Sequence, residues 1–225
     1  MDFSFLLDPN LVIILLKGML MTVVLSLVSV FIGSLLGIIP ALGRLSKNKL
    51  FYYPATIYVD IIRGTPLLVQ VLLLYAFINL PVKMVFGIDM SNFIPGMLAL
   101  IINSSAYVSE LIRGGVQAVD PGQSEAALSL GMTKFETMKK IVFPQAIKNI
   151  IPSLGNEFVT MIKETAIFIN IGVAELMYSA ELVKTYTYAV KETYIVVAIL
   201  YLLLTLPMSK LMGYFEKRLS KNERK

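Results

Sequence analysis

The longest nearly uncharged stretch of the chain runs from Asn10 to Gly43, where Lys17 is the only ionisable side chain. In a helix, roughly 20 predominantly apolar residues cross the hydrocarbon core of a bilayer, which is about 30 Å thick. Hydrophobic residues make up 56% of the 225 residues and charged residues only 16%, which is too apolar for a soluble domain of this size. The pattern therefore predicts an integral membrane protein of the all-α class.

Two residue types that carry much of the chemistry of protein sites are missing, because the chain has no Cys and no His. Disulfides, thiol nucleophiles and the usual zinc and haem ligands are thereby excluded. The net charge of +5 is distributed over particular loops, which favours a membrane protein over one that binds nucleic acid. We therefore expect no catalytic residue, no metal site and no nucleic-acid partner.

Prolines, glycines and charged loops divide the apolar sequence into five predicted spans. A single transmembrane domain, residues 1–225, would contain them at residues 10–42, 64–80, 94–112, 150–171 and 194–212. The second span is short, and the segment before it, bracketed by Pro54 and Pro66, carries Asp60 and Arg63. Because charged side chains are costly in lipid, we expect this segment to supply only part of the crossing. The acidic start of the chain, unlike a signal peptide, predicts that the first span is retained.

Basic residues are unevenly divided between the loops on the two sides of these spans. One side holds most of them: Arg44, Lys47, Lys49, Arg113, Lys134, Lys139, Lys140, Lys148 and the basic tail of residues 214–225. The other side holds only Lys83, Lys184 and Lys191, mixed with acidic residues. The positive-inside rule then predicts a cytoplasmic C-terminus and an N-terminus on the outer side. We expect the basic tail to contact anionic lipid.

Residues 120–144 carry the signals of a charged helical hairpin between the third and fourth spans. Asp120 is suited to cap a first helix, with Gln123 in the capping-box position and Gly131 placed to close the helix in a left-handed conformation. Thr133 begins a second capping box, T-K-F-E. We expect Pro144 to end or bend the second helix. By patterning alone, the hairpin is either a solvated helical loop or a docking element.

The spacing inside this hairpin resembles a known motif. Glu125-Ala126-Ala127, three residues, Gly131, nine residues, Ile141, one residue and Phe143-Pro144 resemble the EAA loop of permease subunits in bacterial ABC importers, although Phe143 stands where that pattern usually has Leu. The resemblance implies a coupling helix that lies in a cleft of the ATP-hydrolysing subunit. The residues expected to make that contact are Glu125, Ala126, Ala127, Leu130, Gly131 and Phe135.

Three further segments, residues 62–70, 105–127 and 143–167, resemble the polar amino acid branch of these permeases. Thr165-Ala166-Ile167 departs from the Thr-Ser-Leu common in that branch. The resemblance implies the MetI-like five-span fold of the bacterial plasma membrane. It also implies a second permease subunit, identical or a sister chain, and an extracytoplasmic amino acid-binding protein. ATP and Mg would bind to a separate ATPase subunit, because this sequence has no G-x-x-x-x-G-K-[ST] phosphate loop, and the chain would not be an enzyme.

The fourth predicted span contains the strongest candidates for substrate contact. On a helix, Asn156, Thr160 and Lys163 lie along one side, and Glu157 and Glu164 lie on an adjacent stripe. Ionisable groups within a span usually face a cavity or a partner, so this face is expected to line the translocation path. The two carboxylates would attract a cationic or zwitterionic substrate. The alternative is an internal ion pair or a helix contact.

Neutral polar residues in the second and third spans are further candidates. Asn103, Ser104 and Tyr107, together with Gln70, could donate hydrogen bonds to a substrate, but such groups also bond between membrane helices. Asp60 and Arg63 are three residues apart and are expected to pair structurally. Glu110 and Arg113 are also expected to be structural and to brace the hairpin.

Three classes of function remain open at this level. The leading one is a permease subunit for polar, basic amino acids such as arginine, lysine or histidine, with glutamine or glutamate as the alternative cargo. The second is an ATP-independent channel or secondary carrier, which would not need a capped docking element. The third, an intramembrane enzyme, lacks the residues that such chemistry requires.

Overall fold

Nine α-helices and one small β-hairpin account for most of residues 1–220, the part of the chain that the computed structural model describes. The helices are α1 Pro9–Leu45, α2 Lys49–Gly64, α3 Leu67–Phe77, α4 Met90–Gln117, α5 Pro121–Ser129, α6 Lys134–Thr137, α7 Phe143–Glu164, α8 Leu176–Thr187 and α9 Val190–Ser220. Strand β1 (Met84–Val85) pairs antiparallel with β2 (Ile88–Asp89). The last five residues of the predicted lipid-contacting tail lie outside the described residues.

Three described helices are long and apolar enough to cross a membrane: Pro9–Leu45, Met90–Gln117 and Val190–Arg218. Two pairs of helices pass the same test as bent spans. One pair, α2 and α3, is bent by 103°, and the other, the run through residues 134–171 followed by α8, is bent by 53°. The described part of the chain therefore contains three to five candidate spans.

The second predicted span, residues 64–80, contains a shorter helix than its length suggests. Helix α3 begins at Leu67 and ends at Phe77, and the residues before it form the sharp bend from α2. Thr65 is extended, with φ −114° and ψ 142°, because the ring of the following Pro66 disfavours helical geometry at the preceding residue. The bend therefore follows from the Thr-Pro step.

Pro144 was predicted to end or bend the second hairpin helix, and it does not end that helix. Helix α6 continues through a π-helical turn, Met138–Val142, directly into α7. The backbone N–H of Phe143 donates to the carbonyl of Met138, and Pro144 lies in the first turn of α7, where a missing N–H is tolerated. Helix α7, which corresponds to the fourth predicted span, therefore begins at Phe143 rather than Ile150. It ends at Glu164, and a 3-10 segment, Thr165–Ile171, follows.

A stripe of small residues holds α1 against its neighbours. Its buried positions include Gly18, Thr22, Ser26, Ser29, Gly33, Gly37 and Ala41. A Cβ added at Gly37 would lie 2.7 Å from the carbonyl oxygen of Ser105, and one added at Gly18 would lie 2.8 Å from that of Glu175. Small residues allow backbones in membranes to approach this closely, so α1 packs on α4 and α8 with almost no intervening side chain.

Candidate functional site

Helix α7 presents the predicted polar face largely as expected. Asn156, Thr160 and Lys163 are exposed, Glu164 is half-buried, and Glu157 on the adjacent stripe is only 9% exposed. The buried side of α7 packs against α4, α9 and α1. No other part of the described chain covers the exposed face of Asn156, Thr160 and Lys163.

Glu157 is a buried carboxyl group without a close polar partner among residues 1–220. It accepts no hydrogen bond from the described side chains and forms no ion pair with them. Glu164, two turns further along α7, and Arg63 of α2 are near enough to act on Glu157 electrostatically. The alternative that the sequence left open, an internal ion pair, is not observed among Glu157, Lys163 and Glu164 in the described residues, although Lys163 is near enough to act on Glu164 electrostatically.

Gln70 stabilises the bend between α2 and α3. Its side-chain Nε2 donates to the carbonyls of Ile62 at 2.7 Å and Thr65 at 3.0 Å, groups that the bend leaves without helical partners. Asn103 Nδ2 of α4 donates to Gln70 Oε1 at 3.1 Å. Gln70 and Asn103 therefore form a hydrogen bond between helices, which is the alternative to substrate contact that the sequence left open.

The remaining polar candidates on α4 point in different directions. Ser104 is fully buried, and its side chain is in close contact with Gly33 of α1. Tyr107 is partly exposed, and the Arg63 guanidinium lies 5.2 Å from the centre of its ring. Ser104 therefore serves helix packing in this structure, whereas Tyr107 contacts Arg63, the cation that acts electrostatically on Glu157.

A cluster of charges joins the ends of α1, α2 and α4. Glu110 pairs with Arg44 at 2.7 Å, with Arg63 at 3.5 Å and with Arg113, its neighbour one turn along α4. The expected Asp60–Arg63 pair is wrong, because Asp60 lies 3.8 Å from Arg44 instead. Glu110 braces the helices rather than the hairpin, since its partners come from three of them.

Replacing Gln70 with Leu is expected to destabilise the bend without changing the charge of the chain. The carbonyls of Ile62 and Thr65 and the buried Asn103 amide would lose a hydrogen-bond partner, and a polar group left buried and unsatisfied costs about 1–3 kcal/mol. We expect a lower thermal unfolding temperature of the purified protein. The matched control is Gln123→Leu, at an exposed hairpin position, and an unchanged unfolding temperature for Gln70→Leu would contradict the assignment.

The hairpin of residues 120–144 forms from the predicted local signals, with one difference. Gly131 is left-handed, with φ 85°, and Thr133 forms the full capping box with Glu136. Asp120 caps α5 by accepting from the N–H of Gly122 at 2.8 Å, so the capping-box role expected for Gln123 is not observed in the described hairpin.

The residues expected to contact the ATPase fall into two groups. Glu125, Ala126 and Gly131 are exposed, as are the apolar side chains of Leu130 (85%) and Phe135 (74%) beside the Gly131 turn. Ala127 is the exception, because it is only 4% exposed. The tip of the hairpin therefore presents uncovered apolar surface flanked by charge.

Glu175 is a fully buried carboxylate just before α8, and it was not singled out from the sequence. It caps α8 by accepting from the N–H groups of Met177 at 2.9 Å and Tyr178 at 2.7 Å. The hydroxyl of Tyr201 in α9 donates to it at 3.2 Å. Glu175 thereby joins α8 to α9 next to the second bent pair of helices. The only sequence signal for this role is an acidic residue just before an apolar run.

Helices broken at polar residues and carboxylates held between apolar helices are features of membrane transport proteins. The chain belongs to the binding-protein-dependent transport system inner membrane component family, whose profile matches residues 33–221. A putative glutamine transport system permease protein of Rickettsia bellii is 40% identical over 92% of this chain and 94% of its own length. The arginine transport system permease protein ArtQ of Bacillus subtilis is 38% identical over 93% of this chain and 94% of its own.

Solved structures agree with this membership. A crystal structure of an amino acid ABC transporter with histidines matches with a TM-score of 0.87 and 47% identity, over 97% of this chain and 100% of that one. The MetNI methionine ABC transporter in an inward-facing conformation matches with a TM-score of 0.71 at 15% identity, over 92% of this chain and 99% of that one, which shows the MetI-like fold alone. The protein is a permease of an amino acid ABC importer, a class that works with an ATPase and a substrate-binding protein.

Proposed function

We propose that this permease carries polar amino acids, with cationic ones such as arginine, lysine or histidine as the preferred cargo. The observation that carries the proposal is the Glu157 carboxylate, buried within α7 with no hydrogen-bond or ion-pair partner among the described residues. Glu164 adds a second negative charge on the same stripe. An ammonium or guanidinium group of a substrate would supply the missing partner.

Glutamine or glutamate is the second candidate cargo. Relatives from Rickettsia bellii and Bacillus subtilis are named as glutamine permeases. Arg63 also places a positive charge near Glu157, which suits a neutral or acidic side chain better than Glu157 alone would. The two candidates therefore differ in which of these opposite charges faces the cargo.

The path itself is proposed to lie between this chain and a second permease subunit. The uncovered face of Asn156, Thr160 and Lys163 supports this arrangement, because polar side chains facing lipid would be costly. Five spans, with the N-terminus outside and the C-terminus in the cytoplasm, agree with the distribution of basic loops. The same geometry accommodates either an identical chain or a sister permease as the partner.

The hairpin of residues 120–144 is proposed to dock on the ATPase subunit, which would bind ATP and Mg. Exposed apolar side chains at its tip support this role, because a solvated loop has no reason to present them. An extracytoplasmic amino acid-binding protein would deliver the cargo. An ATP-independent channel or secondary carrier is the weaker candidate, since it needs no such element.

Competitive uptake tests the choice of cargo. The complex is reconstituted with its ATPase and binding protein, and labelled arginine, histidine, glutamine and glutamate are offered in competition. We expect arginine or histidine to be taken up in preference. Preferential uptake of glutamate would contradict the cationic cargo and favour the second candidate.

A further inference from the structure

A groove between α1, α2 and α4 has the chemistry of a lipid site. It encloses about 710 Å³ between the C-terminal half of α1, α2 and α4, and α7 contributes no residue to its lining. Its walls are formed largely by apolar side chains, among them Leu36, Ile39, Leu42, Phe51 and Ala55. The groove is therefore distinct from the polar face proposed for the cargo.

The few polar side chains that line the groove already have hydrogen-bond partners within the chain. The Tyr58 hydroxyl lies 2.5 Å from Ser105 Oγ and donates to the carbonyl of Ile102 at 3.1 Å. Ser46, at the outer end, accepts from the N–H of Asn48 at 3.1 Å. An amino acid would leave its charges unpaired here, whereas a hydrocarbon chain needs no polar partner.

Two cations stand at the end of the groove. Lys47 and Lys49 are exposed and lie between Ser46 and Leu50, both of which line the groove. Neither lysine forms an ion pair within the described residues, whereas the neighbouring Arg44 is engaged with Glu110. The unpaired positive charge is therefore next to the apolar groove rather than dispersed along the helix.

We propose that this groove binds an anionic phospholipid, with an acyl chain between α1, α2 and α4 and the phosphate group on Lys47 and Lys49. Charge complementarity selects this occupant, because lysines beside an apolar surface favour anionic over zwitterionic headgroups. Helix α1 has 37 residues, about 55 Å at 1.5 Å per residue, so its end reaches the headgroup region of a bilayer. An acyl chain and a headgroup would then meet the groove and the lysines together.

Native mass spectrometry of the full-length protein in detergent tests this site. Dioleoyl phosphatidylglycerol and dioleoyl phosphatidylcholine are added at equal concentration, so that only the headgroup differs. We expect phosphatidylglycerol to be retained preferentially, and Lys47→Gln with Lys49→Gln to weaken its retention by about tenfold or more without affecting phosphatidylcholine. Ala55→Leu, which fills part of the groove, should weaken both lipids.

The control removes the same charge elsewhere. Lys17→Gln with Lys83→Gln changes two exposed lysines that are not adjacent in sequence to any groove-lining residue, and phosphatidylglycerol retention should be unchanged. Equal loss in this control would overturn the proposal, because it would mean that the net charge of the chain explains the binding. Full retention by the Lys47/Lys49 variant would overturn it as well, because these lysines would then not hold the headgroup. Displacement of the lipid signal by excess inorganic phosphate would overturn it too, since a phosphate site needs no groove.

A second copy of the chain is the competing occupant, and it gives a different result. Because the chain has no Cys, Ile39→Cys on the groove wall introduces a single thiol. Efficient disulfide dimer formation through this position in native membranes would overturn the lipid site. Cysteine accessibility without dimer formation, blocked by phosphatidylglycerol, would support it.

Discussion

Replacing Leu130 with Asp is expected to abolish ATP-driven uptake while leaving the membrane fold intact. Leu130 is 85% exposed beside the Gly131 turn, so its side chain contributes little to the fold of the isolated chain. A carboxylate placed in an apolar contact with the ATPase would be desolvated without a partner, which costs about 2–5 kcal/mol. We therefore expect uptake by proteoliposomes to fall by at least about thirtyfold, with the unfolding temperature unchanged.

The same substitution elsewhere separates docking from general damage. Leu7 is 84% exposed in the short helical turn before α1, so Leu7→Asp makes an identical chemical change at an equally exposed leucine. Its uptake should match that of the unmodified protein. Full uptake by Leu130→Asp, with the ATPase still bound, would contradict the proposed docking role of the hairpin.

Replacing Glu157 with Gln is expected to lower arginine uptake far more than glutamine uptake. The substitution keeps the shape of the side chain and removes its charge, and a hydrogen bond to a charged group contributes about 1.5–3 kcal/mol. Arginine uptake should therefore fall by about tenfold to a hundredfold. Measuring both amino acids in the same proteoliposomes distinguishes a change of selectivity from a loss of protein.

Two further variants test whether the expected effect is specific to Glu157. Glu216→Gln removes a carboxylate at an exposed position of α9 and should leave uptake unchanged. Glu164→Gln is expected to produce a smaller loss, because Glu164 is less buried than Glu157. Unchanged arginine selectivity in Glu157→Gln would mean that this carboxylate serves packing, and the cationic cargo would lose its support.

Features set by neighbouring residues were predictable from the sequence. The left-handed Gly131 and the capping box of Thr133 and Glu136 depend on atoms within a few positions, and both are confirmed. The apolar stretch of α1 was predictable for the same reason, since length and composition decide whether a helix can cross a bilayer. The family follows from the motif spacing and is confirmed by the comparisons.

Features that depend on contacts between residues far apart in the sequence were not predictable from it. Asp60 faces Arg44 rather than Arg63, because the end of α1 brings a competing cation to α2. Gln70 reaches back across the Thr65–Pro66 bend, a role that needs the 103° angle between α2 and α3. Pro144 does not end the hairpin helix, a local feature that the sequence left ambiguous, because the π-helical turn before it leads directly into α7 and places Pro144 in the first turn. Which side chains meet cargo stays a prediction for the same reason.

The π-helical turn at Met138–Val142 also makes the hairpin and the buried carboxylate parts of one rod. From Lys134 to Glu164 the backbone is helical without a loop, a length of about 46 Å at 1.5 Å per residue. Because no loop interrupts this backbone, a rotation applied beside Phe135 would be transmitted along the helix axis to Glu157. Lengthening this rod by one residue would rotate the carboxylate by about 100° against the hairpin.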